Sequence, residues 1–272
     1  MAGPCVLERR CVMQTQTQPA LFISHGAPEL ALETGPDAEH LRTLGRTLPT
    51  PSVILIVSAH WATRSLVINQ TPQPATWHDF SGFPPALYDI RYPARSDTAL
   101  AARLPALLSE AGFECQVSHD RPLDHGAWVP LSLMYPDASI PLVALSLPLS
   151  LGAKGLLRLG GALAFLRQQG VLIVGSGGYI HNLWAMESDG APPAEWADAF
   201  SRWADARLHA REDEALADWQ QSAPHAKQNH PTPEHFLPLF VALGAASPGA
   251  TPVKLYDNWR YGSLSMACWR FD

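Results

Sequence analysis

Val53-Ile54-Leu55-Ile56-Val57-Ser58-Ala59-His60-Trp61 joins five apolar, mostly β-branched residues to a small pair, a histidine and a tryptophan. An apolar run of this length without polar alternation is the pattern of a strand covered on both faces. Packing gives no reason for an imidazole at its end. The same design recurs twice. Leu21-Phe22-Ile23 stops at Ser24-His25-Gly26, and Val171 to Val174 breaks into Gly175-Ser176-Gly177-Gly178-Tyr179-Ile180-His181-Asn182. In open α/β sheets ligands bind outside the carboxyl ends of parallel strands. His25, His60 and His181 are therefore expected to converge there.

Working outward, the pattern predicts helices over 37–48, 98–111 (capped by Ser96-Asp97), 154–169 (ended by Gly170) and one or two between Pro193 and Trp219. Further strands are expected at 65–69, paired with the 53–57 strand, and at 114–118, 142–147 and 263–268. A helical turn through Met134 follows Asp124-His125-Gly126. Thr232 and Pro233 read as N-cap and first residue of a helix over 234–243, which puts His235 in its first turn beside the apolar face of Phe236, Leu239, Phe240 and Leu243. Residues 72–93, rich in proline, glycine and aromatics, fit neither period and read as a long ordered loop. Strands alternating with helices imply a single α/β domain, 19–272, with a central mixed sheet flanked by helices, behind a disordered leader over 1–18.

The 272 residues are 47% hydrophobic, ample for a core, and the formal net charge of -6 comes without any run of like charge. That argues against nucleic acid as a partner and for a small molecule. No apolar run approaches a membrane span. Glu8, Arg9, Arg10 and a polar Gln/Thr stretch stand where a signal peptide would be apolar, which points to the cytoplasm. Cys5, Cys11, Cys115 and Cys268 form no C-x-x-C pair, so neither a disulfide framework nor a cysteine zinc site is expected. There is no G-x-S-x-G elbow, and Gly175-Ser176-Gly177-Gly178 lacks the Gly-Lys-Ser/Thr end of a phosphate loop. A histidine cluster without cysteines suits an open catalytic metal site. His125 has Asp124 beside it to orient its ring. His40, His78, His119, His209, His225 and His230 read as mostly solvent-exposed.

Seven ordered blocks, "LFISHGAPELALE", "VSAHWATR", "HDFSGFPPALYDIRYPA", "LDHGAWVPLSLMYP", "GSGGYIHNL", "PTPEHFLPL" and "YGSLSMACWRF", resemble the 4,5-DOPA extradiol dioxygenase family, a branch of the class III extradiol ring-cleaving dioxygenases. The resemblance spans Leu21 to Phe271. It implies oxygen-dependent opening of a catechol ring at a non-haem Fe(II) site, with Zn(II) an alternative occupant. It carries His25 and His60 over as metal ligands, His181 and His235 as the other histidines associated with the metal, and His125 as a catalytic histidine beside them. In the wider class the third ligand is a glutamate and the histidine of the Gly-Gly-x-x-His block is the base, and here the late block offers both Glu234 and His235.

The chemistry explains the demand for such a site. Triplet dioxygen reacts slowly with singlet catechols unless a redox-active metal binds both. Catechol and O2 take three of six positions and leave three for the protein, so His181 is expected to leave the metal or serve as base, with His125 delivering a proton as the ring opens. The block from Trp77 to Tyr92 is expected to wall the catechol, with Trp77, Phe83 and Tyr88 against the ring and Arg91 on a substrate carboxylate. The rival readings are a zinc-dependent hydrolase using the same histidines and a metal-binding module without turnover.

Overall fold

In a computed structural model, which describes residues 16–272, the opening apolar run forms the first half of the strand Val53–Thr63. In chain order the strands are β1 (Ala20–Ser24), β2 (Val53–Thr63), β3 (Leu66–Asn69), β4 (Cys115–Ser118), β5 (Leu142–Pro148), β6 (Val171–Gly177), β7 (Ile180–His181), β8 (Val253–Tyr256), β9 (Trp259–Arg260), β10 (Leu264–Ser265) and β11 (Cys268–Phe271). Eight of them make one mixed sheet in the order β4-β3-β5-β2-β6-β1-β11-β8, and β7, β10 and β9 make a small second sheet. β2 runs parallel to β5 and β6, and β6 runs parallel to β1. β11 and β3 add antiparallel pairings, to β1 and β5 respectively.

The apolar run lacks polar alternation because both faces of β2 are covered. Leu55 and Val57 face one core with Phe22, Val143 and Ile173, under the helices Thr98–Glu110, Gly152–Leu163 and Pro238–Gly244. Ile54 and Ile56 face the other with Leu21, Ile23 and Val174, under Pro36–Thr47 and His125–Met134. The result is the helix-flanked mixed α/β sheet that the sequence implies.

Several expectations change in detail. β3 pairs with β5 and β4, not with β2, because β5 lies between them in the sheet. The segment Pro72 to Pro93 holds a short helix, Pro85–Asp89. The helix after Thr232 begins at Pro238, so His235 sits in the turn before it, where the Leu237 N–H bonds to the Pro233 carbonyl. Leu149–Gln169, three helical pieces end to end, is 21 residues with mean hydropathy 1.3 and does reach span length. Its Leu156, Leu159, Leu163 and Leu166 enter the first core instead. His230 is not exposed: it is buried among Phe200, Trp219 and Phe236, with Nε2 3.1 Å from the Tyr179 carbonyl oxygen. Of the expected leader, residues 1–15, with Cys5 and Cys11, lie outside the described residues. Gln18 is buried, and its carbonyl accepts from Arg167 Nε at 2.7 Å. Cys115 and Cys268 are free thiols.

The Pro238–Gly244 helix lies backbone to backbone against the sheet. A Cβ at Gly175 would overlap the Pro238 carbonyl oxygen, and one at Gly160 the Val241 carbonyl oxygen. We therefore expect Gly175→Ala to destabilise the fold by about 1–3 kcal/mol or more. Urea unfolding checks this, and a variant as stable as the parent contradicts it.

Candidate metal centre

The carboxyl ends of three neighbouring parallel strands, β2, β6 and β1, build the floor of the site. Ser58 on β2 and Ile23 on β1 both lie level with Ser176 on β6. One step outward, His25 leaves β1 with its N–H bonded to the Gly177 carbonyl. His60 is not at a strand end. β2 advances five residues, from Val57 to Ala62, while β5 advances two, from Leu145 to Leu147, and His60 stands in that bulge. Bulges re-aim side chains in this way next to functional sites. His235 arrives from the far end of the chain, its carbonyl accepting the Gly178 N–H at 2.9 Å. A Cβ at Gly177 would overlap that same carbonyl, so only glycine lets the His235 turn dock at this point.

The three rings aim Nε2 at one point. His25 and His60 Nε2 are 3.0 Å apart, and His60 and His235 Nε2 are 3.3 Å apart. Each ring is held from behind. Ser176 Oγ donates to the Gly126 carbonyl and so accepts from His25 Nδ1 at 3.0 Å. Glu234 Oε1 accepts from His235 Nδ1 at 3.0 Å. His60 Nδ1 lies 3.8 Å from Asp79 Oδ2, and the His60 backbone N–H donates to Ser58 Oγ. With Nδ1 carrying the proton on His25 and His235, their Nε2 atoms present lone pairs. A proton on His60 Nε2 satisfies one of its two contacts, never both. A divalent cation satisfies all three, because metal–nitrogen bonds of about 2.1 Å at 90–109° place ligand nitrogens roughly 3.0–3.4 Å apart. The donor set fits a metal, with the outer hydrogen bonds that fix ligand tautomers in such sites.

The other expected residues fall around this cluster. His181 brings no nitrogen into it; its ring stacks on His235 at 3.5 Å with 6° between planes. It also lies beyond the end of β6, in β7, where it pairs with Leu264. His125 opens its helix with its ring 3.9 Å from that of His60, and Asp79 grips it twice, at its N–H (2.9 Å) and its Nδ1 (3.0 Å). Asp124, the expected orienter, instead accepts from Ser58 at 2.6 Å and from Arg121 at 3.3 Å. Arg121 lies between the rings of Trp61 and Trp77 and donates to the His60 carbonyl. Glu234 is the support of His235. Asp79 was legible only as the acid beside His78; nothing local ties it to His125, 46 residues away.

Above the histidines lies a cavity of about 430 Å³, lined by His25, His60, His125, His181 and His235 and walled by Phe80, Phe83, Leu183, Met186 and Met266. Of the four expected ring and carboxylate contacts only Phe83 reaches it. Trp77 is drawn off by Arg121, with its carbonyl accepting from Trp128. The Tyr88 ring packs on Phe80 and His78, and its hydroxyl faces the Phe83 N–H. Arg91 is exposed and donates to the Tyr88 and Ile90 carbonyls, because the Pro85–Asp89 helix turns it outward.

Burial sets the charge state of the cluster. Burial first, then the neighbouring histidines, brings His60 down to about 3 and His181 to about 2, and holds His25 well below the ordinary value of 6.5. Burial likewise brings His230 to about 3. For Glu234 burial opposes the charge, but hydrogen bonds from His235, its own backbone N–H and Thr232 prevail and take it to about 2. These histidines bind protons in the unfolded chain at pH values where the folded protein does not. Their stabilising effect is thus complete above about pH 6.5 and lost as pH falls toward 3. We expect the metal-free protein to lose at least about 2 kcal/mol of unfolding free energy between pH 7 and pH 5. Denaturant titrations at both values measure it, and a flat profile contradicts the neutral cluster.

Comparisons with known proteins identify the family. Residues 19–267 match the family described as the catalytic LigB subunit of aromatic ring-opening dioxygenase. The chain is 39% identical over 259 residues to a 4,5-DOPA dioxygenase extradiol of Beta vulgaris, covering 92% of this chain and 95% of the relative. It is 40% identical over 268 residues to one of Escherichia coli K12, covering 96% and 97%. A crystal structure of an uncharacterized protein from Escherichia coli K12 superposes with a TM-score of 0.79 at 33% identity, covering 94% of this chain and all of the other. The chain belongs to the family of the catalytic LigB subunit of aromatic ring-opening dioxygenase.

Proposed function

We propose that this protein is an extradiol dioxygenase that opens a catechol ring with O2 at an Fe(II) held by His25, His60 and His235. The observation that carries the reading is the trio of Nε2 atoms at 3.0 and 3.3 Å beneath a cavity of about 430 Å³ walled by Phe80, Phe83, Leu183 and Met186. Bound there, the metal would supply the redox chemistry that relieves the spin barrier between a catechol and O2. Three protein ligands leave room for both partners. His181, stacked on His235 and lining the same cavity, stands outside the ligand set as acceptor of the catechol proton. His125 serves from the other side. Asp79 fixes its Nδ1–H, so Nε2 is the atom that holds and delivers a proton. Phe80 and Phe83, packed edge to face with ring centroids 5.2 Å apart, form a wall against which an aromatic ring excludes water.

Two variants test the assignment together. We expect His60→Ala to bring bound iron to background and abolish oxygen uptake with catechols. His125→Ala keeps its iron and loses about 10²–10⁴-fold in rate. Equal metal content in the two variants contradicts this division of roles.

Metal exchange tests the chemistry. After chelation, Fe(II) with ascorbate is expected to restore oxygen uptake and a yellow ring-opened product, whereas Zn(II) restores the fold's stability without turnover. Hydrolase activity with zinc and no oxygen uptake with iron overturns the proposal.

A further inference from the structure

Apart from its histidines, the cavity carries one ionisable carboxylate, Glu29, and no lysine or arginine lines it. Glu29 is half-buried and, among the described residues, has no hydrogen-bond or ion-pair partner. Its neighbours in sequence are all engaged. Arg260 Nη1 holds Glu33 at 2.9 Å, Tyr256 and Asn258 hold Asp37 at 2.8 and 2.7 Å, and Arg46 holds Glu39 at 2.6 Å. The two wall serines are also bonded. Ser24 Oγ donates to the Ala267 carbonyl and accepts from the Tyr179 N–H, and Ser265 Oγ accepts from the Ala267 N–H. Glu29 therefore shares the cavity with the histidines, Tyr261 and the apolar side chains of Phe80, Phe83, Leu183 and Met186, with its charge unanswered.

A carboxylate at an apolar wall attracts a cation and repels an anion more strongly than it does in water. Arg91, the side chain expected to receive a substrate carboxylate, lies outside the cavity on backbone carbonyls. The geometry points to Glu29 as a specificity-determining residue that selects catechols whose side chain ends in a cationic amine and carries no carboxylate. The inference rests on the catechol reading of the cavity. Metal ligand and selector share one short turn: Gly26, at φ +66°, swings the chain away from His25, and Pro28 opens the short helix Pro28–Leu32 that presents Glu29.

Anaerobic calorimetry on the iron-loaded protein tests this with three catechols of one skeleton: 2-(3,4-dihydroxyphenyl)ethylamine, neutral 4-ethylcatechol and 3,4-dihydroxyphenylacetate. We expect the amine to bind about 10- to 100-fold tighter than the neutral compound and the acid to bind weakest. Glu29→Gln removes most of the amine-to-neutral ratio, Glu29→Asp keeps part of it, and Glu29→Lys reverses the order of amine and acid. Acid binding as tight as amine binding, or a Glu29→Gln variant that weakens all three equally, overturns the assignment. Oxygen uptake separates the two claims. Selective amine binding with no oxygen consumed refutes ring cleavage and upholds Glu29, whereas uptake with equal kcat/KM for all three upholds ring cleavage and refutes Glu29.

Discussion

Three imidazole nitrogens converge on one point, and their lone pairs repel one another unless a positive charge stands between them. Much of the surrounding architecture serves to hold that unfavourable convergence in place. Each ring is braced from behind by an acceptor: Ser176 for His25, Glu234 for His235 and, more distantly, Asp79 for His60. Burial keeps the rings neutral, which is the state a cation needs. A mobile surface cluster would relieve the repulsion by moving apart. In this protein His60 rides on β2, His25 follows the end of β1 and His235 is docked by its carbonyl on Gly178, so the rings have nowhere to go.

The close approach depends on what is missing as much as on what is present. A Cβ at Gly126 would overlap Ser58 Oγ and crowd the rings of His60 and His25, and one at Gly177 would overlap the carbonyl of His235. The glycines of Gly175-Ser176-Gly177-Gly178 thus act as a docking surface for another part of the chain, and the serine among them as a hydrogen-bond relay between His25 and Gly126. The same four residues that fail as a phosphate loop are well suited to this task. Asp79 adds a further economy, since one carboxylate fixes His125 and flanks His60.

Much of this was legible in the sequence. Continuous apolar runs announced a doubly covered sheet, and small residues next to His25 and His60 announced side chains at its rim. Features that depend on distant pairing were not legible. The bulge that carries His60 exists only relative to β5. The replacement of Asp124 by Asp79 as the orienter of His125 follows from the path of the Pro72–Pro93 segment, whose shape no periodicity encodes. Composition assigned Trp77, Tyr88 and Arg91 to the substrate wall, yet a cation between two indoles and a single helical turn direct them elsewhere. His230 looked exposed because its neighbours in sequence are polar, while its neighbours in space are Phe200, Trp219 and Phe236.

The strand that delivers His25 is among the first made, yet it is flanked by β6 and by β11, the last strand of the chain, and the third imidazole sits at position 235 of 272. Until the His235 turn is made, an emerging chain holds two of the three nitrogens and six of the eight strands of the main sheet, without β8 and β11. A site of three nitrogens therefore forms only once the His235 turn has docked on Gly178. A fragment that stops short of this turn lacks the third nitrogen, so a cation that needs all three is not captured while the sheet is still being assembled.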